Sequence, residues 1–397
     1  MKTPLVFVTR DIERALAMPA DPDFYTIANQ SEIAKIFHFD QGNHWEISSP
    51  ELLDTWQLLQ DARAKDLLSR LPFPQILVFK NTPRIEKICT ENNWKLLNPS
   101  SVLASRVEEK ISQLDWLEEL KTFLPPYQIL TGQELTWDNT PYIIQFNRSH
   151  TGSGTILVSS AAQLAEIKKT FPQRLVRTAP YIPGPLFTNN TCVAKDAILF
   201  GNISYQITGL EPFTDRPFAT IGNDWGLPQI LLTTKERQQF LDIAAAVGKK
   251  LQAQGWRGLF GIDVVKDERT NQLYLLEINA RQPASTTFES LLQKEQTPAP
   301  GAMTIFEAHL RSLREESLGT ASVITINQGA QIIQRVTKKI SHWEEEPKLP
   351  GVRCLKYKQT TPGNDLLRFQ TPNNLLRTHN ELNETGLLIR HYLEQGL

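Results

Sequence analysis

Three polar side chains share one face at the end of an apolar strand. In "YLLEINARQPAST", residues 274–286, Glu277 interrupts the apolar run, and Asn279 and Arg281 follow at every second position. Side chains alternate faces along an extended strand, so the three project to one side. Such groups are costly to bury unless something binds them. A second acid faces them. "GLFGIDVVKDERTNQLYLLEINAR" reads as strands over 259–265 and 273–279 around the polar turn "KDERTNQ". A hairpin centred on residue 270 sets Asp263 opposite Glu277, with β-carbons roughly 5 Å apart. Like charges there destabilise a sheet, and Ile262, Val264, Leu275, Leu276 and Ile278 strip water from them. A divalent cation turns that cost into a site. Magnesium suits it, as a hard ion that takes one or two carboxylates plus phosphate oxygens. Asn279 can add a neutral oxygen. Arg281 beside the metal would stabilise charge on a transferred phosphoryl or acyl-phosphate group. The plainer reading is a solvated hairpin end slipped by one residue, with Arg281 only a charge partner for Glu277.

A second candidate is "PYIIQFNRSHTGSGTILVSS", residues 141–160, where T-G-S-G-T separates two strands and Arg148 and His150 flank it. A helix-starting phosphate loop needs a following helix and usually G-K-[ST]; neither is present. A glycine loop between antiparallel strands can instead fold over a nucleotide and offer backbone N–H groups to phosphates. It can equally be a tight turn.

The elements that must position these residues follow from periodicity. "PLVFVT", "PQILVFK" and "WKLLNP" are strands separated by helical stretches, "SPELLDTWQLLQDARAKDLLSRL" and "TPRIEKICTENN", the latter with Thr82 as N-cap and Pro83 first in the helix. Alternation of this kind implies parallel strands with helical crossovers. No G-x-G-x-x-G follows the first strand, so dinucleotide binding there is unsupported. Residues 101–122 are expected to form one amphipathic helix ending before Pro125. Residues 233–255 form another, with Thr234 as N-cap and Gly255 as its stop. Beyond residue 320 the chain turns β-rich.

Composition narrows the function classes. The 397 residues suffice for two or three domains, with 40% apolar and 21% charged residues. A net charge of −1 gives no general pull toward nucleic acid or membrane. Cys89, Cys192 and Cys354 lie far apart without a C-x-x-C pair, which argues against a disulfide framework and suits a reducing cytosol. The start, "MKTPLVFVTRDIERAL", reads as a first strand rather than a signal peptide. No segment has the roughly 18 uncharged apolar residues needed to cross a bilayer.

Taken in order, four segments resemble the ATP-grasp superfamily, nearest its carbamoyl-phosphate synthase large-chain and biotin carboxylase branch. They are "VEEKISQLDWLEELKTFLPPYQIL", with Lys110 at the basic position, the glycine hairpin, "LVRTAPYIPGPLFTNNTCVAKDAIL" as the adenine linker, and the acidic hairpin. The match spans about residues 105–315. Two positions depart from the family pattern. Gln145 stands where a Lys or Arg is usual, with Arg148 as the replacement cation, and Ala179 and Pro180 stand where the linker usually carries an acid or amide.

The resemblance implies an α/β and α+β architecture. A parallel α/β domain would cover 1–104, a two-lobed ATP-grasp domain 105–318, and a small β-rich C-terminal unit 319–397. It implies an ATP- and magnesium-dependent ligase (one or two ions, with manganese as the alternative) that activates a carboxylate as an acyl phosphate and joins it to an amine or other nucleophile. Asp263, Glu277 and Asn279 would bind metal, and Arg281 would be catalytic. Lys110, Gln145, Arg148, Gly152, Ser153, Gly154, Tyr181 and Ile182 would hold ATP. Arg216 in "GLEPFTDRPFATIGNDWG", and Ser285 and Thr286, are candidates for the acceptor pocket; the alternatives are a surface connection and a plain helix cap. Partners would be small molecules, not nucleic acid or membrane, in the cytoplasm; a homodimer is left open. A nucleotide-binding homologue without ligase chemistry, or a kinase, remains the alternative.

Overall fold

The computed structural model describes residues 3–36, 43–147, 154–344, 348–357 and 359–395. Strands β1 (Leu5–Thr9), β2 (Phe24–Asn29), β3 (His44–Ile47), β4 (Gln75–Val78) and β5 (Lys95–Leu96) form a parallel sheet in the order β3-β2-β1-β4-β5. Leu5 to Val8 are fully buried, as a continuous apolar run in a parallel strand should be. The helical stretch before β4 is two helices, Thr55–Gln60 and Ala62–Ser69, because Asp61 ends the first and its side chain caps the second. Thr82 caps Pro83–Glu91 as the sequence indicates, accepting from the Ile85 amide at 3.3 Å.

The single helix expected over 101–122 is broken. Helices Ser101–Glu108 and Ser112–Leu117 and a 3₁₀ turn Glu118–Phe123 replace it. At the break the amides of Lys110 and Ile111 donate to the backbone oxygen (3.1 Å) and Oδ1 (2.8 Å) of Asn147. Lost helical bonds are thereby replaced, each with a net value of about 1 kcal/mol. The break leaves Lys110 only 4% exposed.

Strands β6 (Gln128–Thr131), β7 (Tyr142–Phe146), β8 (Thr155–Val158) and β9 (Leu175–Pro180) form an antiparallel sheet in the order β6-β9-β7-β8. Ile144, Phe146, Val158, Leu164, Ile167 and Val176 supply its core. In this sheet Gln145 pairs with Arg177.

The central sheet begins with β10 (Leu186–Val193), β11 (Ile198–Phe200), β12 (Ser204–Thr208), β13 (Thr220–Asp224), β14 (Gly258–Lys266) and β15 (Leu273–Asn279). Helix Thr234–Ala253 packs on it; its N-cap is Thr233, not Thr234, in a capping box with Glu236. Gly255, at φ +82°, ends the turn that follows. After a short parallel pair, β16 (Ala302–Met303) and β17 (Ser322–Val323), strands β18 (Ala330–Arg335), β19 (Arg353–Lys356) and β20 (Asp365–Thr371) continue the central sheet. Its order is β15-β14-β10-β12-β13-β18-β20-β19, with β11 on β10, so the β-rich stretch beyond 319 has no major sheet of its own. One apolar cluster joins Leu5 and Phe7, Phe306 and Leu310, and Leu355 and Tyr357, so all three stretches of chain share a core. Cys89, Cys192 and Cys354 are buried. Among the described residues no helix is long and apolar enough to cross a membrane.

Candidate functional site

The acidic hairpin pairs as its symmetry requires. Asp263 is opposite Glu277, Ile262 opposite Ile278 and Gly261 opposite Asn279, and then the register shifts, with Val264 opposite Leu275. The unmatched residue of this bulge is Leu276, and its carbonyl accepts from Arg177 Nη2 at 3.0 Å. Bulges of this kind free a backbone group and re-aim side chains beside a site.

Around the acids, three strands and the helix break converge. Lys110 Nζ lies 2.7 Å from Glu277 Oε1. Gln206 on β12 donates to Asp263 Oδ1 at 2.5 Å, and Asn279 Nδ2 to Asp263 Oδ2 at 3.3 Å. Thr188 on β10 lies directly across from Asp263. Burial, with the Glu277 charge adding to it, pushes the Asp263 carboxyl up to about 6. Burial acts the same way on Glu277, but the Lys110 ammonium outweighs it and holds that carboxyl below its ordinary value. One member of the pair is thus biased toward the ion and the other toward the acid, the usual outcome when two carboxylates share a site.

The donor set fits a hard dication. Two carboxylates and the Asn279 amide are hard oxygen ligands, while among the described residues no group of three or more His, Cys, Asp or Glu is placed to hold a metal ion by itself. Too few protein ligands for a full cage, with two acids on one face, is the pattern of magnesium held jointly by protein and phosphate.

Arg281 stands beside this set. Its Nη2 donates to Asn279 Oδ1 at 2.9 Å, and its Nε lies 3.5 Å from Glu108 Oε1. Its ion-pair partner is therefore Glu108, also held by Lys80 at 2.5 Å, while its effect on Glu277 is through-space. The Phe79 ring, 5.5 Å away, supports the guanidinium.

The remaining expected residues divide. Gln145 is half-buried on β7 and accepts from Arg177 Nε at 2.9 Å. Gly154 is buried, and its carbonyl accepts the Phe146 amide at 3.0 Å. Tyr181 and Ile182 follow β9 in the linker; Tyr181 is 38% exposed and meets Phe218 edge-on at 6.5 Å. Arg148, Gly152 and Ser153 lie outside the described residues, as does His150. Arg216 is exposed and packs against Gly363. The buried hydroxyls of Ser285 and Thr286 donate to Asn190 Oδ1 at 3.2 and 3.1 Å. Ser285 makes no side-chain cap.

Sequence reasoning passed over Gln206 and Arg177. Arg177 interrupts the apolar run of "LVRTAP", the same signal that singled out Glu277, whereas Gln206 sits among polar residues in "SYQIT" and carries no such signal.

A sequence-family model of the ATP-grasp domain matches residues 107–285. No curated protein matches the chain. Among solved structures the chain is similar to N5-carboxyaminoimidazole synthetase from Staphylococcus aureus complexed with ADP, at 12% identity and TM-score 0.64, covering 100% of this chain and 98% of that one. It is similar to biotin carboxylase from Campylobacter jejuni in a β,γ-ATP complex, at 13% identity and TM-score 0.66, covering 93% and 87%. A third is the biotin carboxylase domain of Hydrogenobacter thermophilus 2-oxoglutarate carboxylase with MgADP, ADP and bicarbonate, at 14% identity and TM-score 0.65, covering 94% and 86%. At such identities the likeness is one of fold, and it runs nearly the full length of both chains.

Proposed function

Residues 107–285 are an ATP-grasp domain, and from that premise we propose that the protein is an ATP-dependent ligase that activates a carboxylate and joins it to an amine or another nucleophile. The observation that carries the reading is the pairing of Asp263 with Glu277 across β14 and β15, with Lys110 Nζ 2.7 Å from the second acid. Two acids facing each other beside a glycine-containing hairpin serve little structural purpose, since their repulsion works against the sheet.

Asp263, Glu277 and Asn279 would hold magnesium, which when bound neutralises phosphate charge. The protein's own part is to position the reactants and to supply preorganised charge. Lys110 orients Glu277. Tyr181 and Ile182 would offer an apolar edge for a base. A substrate carboxylate oxygen attacks the γ-phosphorus and ADP leaves, giving an acyl phosphate. The amine nitrogen then attacks the acyl carbon, phosphate leaves, and the nitrogen loses a proton. Arg281, held by Asn279 and Glu108, would stabilise the negative charge that develops.

Release of ADP and phosphate from a panel of carboxylates and amines, with bicarbonate among the acids, tests the reading. Wild type should turn over with at least one pair, and Glu277→Gln should lose about 100-fold or more. Equal turnover by the variant would remove the acid pair from the mechanism. A nucleotide-binding protein without ligation is the second reading, favoured by the uncharged Gln145 and by Ala179 and Pro180 in the linker. Tight binding of an ATP analogue with no turnover across the panel would select it.

A further inference from the structure

We propose that Arg177 is the cation that binds the terminal phosphates of ATP here, supplying from the neighbouring strand the charge that position 145 lacks. The inference rests on the ATP-dependent reading above and deepens it.

Gln145 on β7 and Arg177 on β9 are directly paired. Arg177 is 3% exposed. A guanidinium stays charged in a protein, and taking such an ion from water costs several kcal/mol unless it is well paired. Its acceptors are neutral oxygens. Nε and Nη2 donate to Gln145 Oε1 at 2.9 and 2.5 Å, and Nη2 also donates to Leu276 O at 3.0 Å. Nη1 is buried with no hydrogen-bond partner among the described residues, and no carboxylate among them lies within ion-pair range of Arg177. Burial draws its pKa down to about 10, with Glu277 pulling the other way.

A structural strut between the two sheets would need only Nε and Nη2. It would not leave a buried donor unmade, at a cost of about 1–3 kcal/mol. An anion bonding Nη1 would satisfy both the charge and the orphan donor. The location is consistent with that ligand. Leu276 immediately precedes Glu277, and β7 leads directly into the glycine loop. Gln145 then has a definite task, since its side-chain oxygen holds the guanidinium in place.

Calorimetry with β,γ-imido ATP and with AMP, in magnesium buffer, tests this without relying on turnover. AMP lacks the phosphates in question. Arg177→Gln should weaken the imido analogue about 10- to 100-fold and AMP less than about threefold. The swap Gln145→Lys/Arg177→Gln should recover at least about tenfold of that loss, which a strut would not. An unchanged affinity for the analogue, or an equal loss for AMP, overturns the proposal. If Arg177→Gln fails to fold, Arg177→Lys keeps the charge but cannot span both acceptors. It should bind the analogue about 3- to 10-fold more weakly, and wild-type affinity would again overturn the proposal. Wild type that binds no analogue at all removes the ATP reading and this inference with it. Binding by wild type with an indifferent Arg177 variant removes only the inference.

Discussion

Lys110 Nζ and Glu277 Oε1 lie 2.7 Å apart, the ammonium 4% and the acid 35% exposed. The lysine comes from a break in a helix and the glutamate from a bulged strand, so two irregularities meet in one ion pair. Glu277→Gln should lower stability by about 1–3 kcal/mol, less than the ~3–5 kcal/mol of a fully buried pair, because the acid is partly solvated. Lys110→Met should also destabilise, leaving two acids facing each other. The double variant should lose less than the sum. Urea unfolding of the four proteins measures the coupling, and strict additivity would mean the pair is idle.

Asp224 joins the end of the chain to the central sheet. It is fully buried, and its carboxylate accepts from the amides of Gly226, Leu227, Leu375 and Leu376 at 2.8–3.2 Å. Asp224→Ala strands four donors and should cost about 3–5 kcal/mol. Asp224→Asn, which keeps one oxygen, should fall between. Thermal unfolding should rank the three in that order.

His309 sets an acid limit on stability. It is 2% exposed, and its Nδ1 accepts the Leu259 amide at 3.1 Å, a bond that only the neutral ring can make. Burial drives its pKa down to about 3, against about 6.5 in the unfolded chain. Below about pH 6.5 the unfolded chain takes up a proton that the fold refuses. This contribution is therefore complete above that pH and lost toward pH 3, at up to ~1.4 kcal/mol per pH unit. His309→Asn should be less stable at about pH 7.5 yet show a shallower fall to about pH 5. Parallel curves for the two proteins would show that His309 does not titrate in this way.

Glu13 and Arg368 tie the first domain to the far end of the central sheet. Their charged groups lie 2.9 Å apart at 2% and 1% exposure, with Tyr357 donating to Glu13 and accepting from Arg368. Arg368→Met leaves Glu13 buried and unpaired and should cost about 3–5 kcal/mol, whereas Glu13→Gln/Arg368→Met should recover part of that. Limited proteolysis should accelerate in the single variant first.

Short-range order was readable from the residues. The hairpin register that sets Asp263 against Glu277 follows from one turn, and the Thr82 cap from two adjacent residues. Where a tertiary partner competed with local preference, reading failed. The helix over 101–122 gave way because Asn147 captured the Lys110 and Ile111 amides. The division at 319 rested on a change of texture along the chain, but strand pairing carries the central sheet through it.

By itself the sequence determined the chemistry on offer: two acids, an amide and a guanidinium at the end of a core strand, because alternation and a tight turn act over a few residues. Only the tertiary structure decided which cations stand near those acids. Lys110 comes from the break between two helices and Arg177 from a different sheet, and contacts between distant segments depend on how whole elements pack. No periodicity along the chain records them.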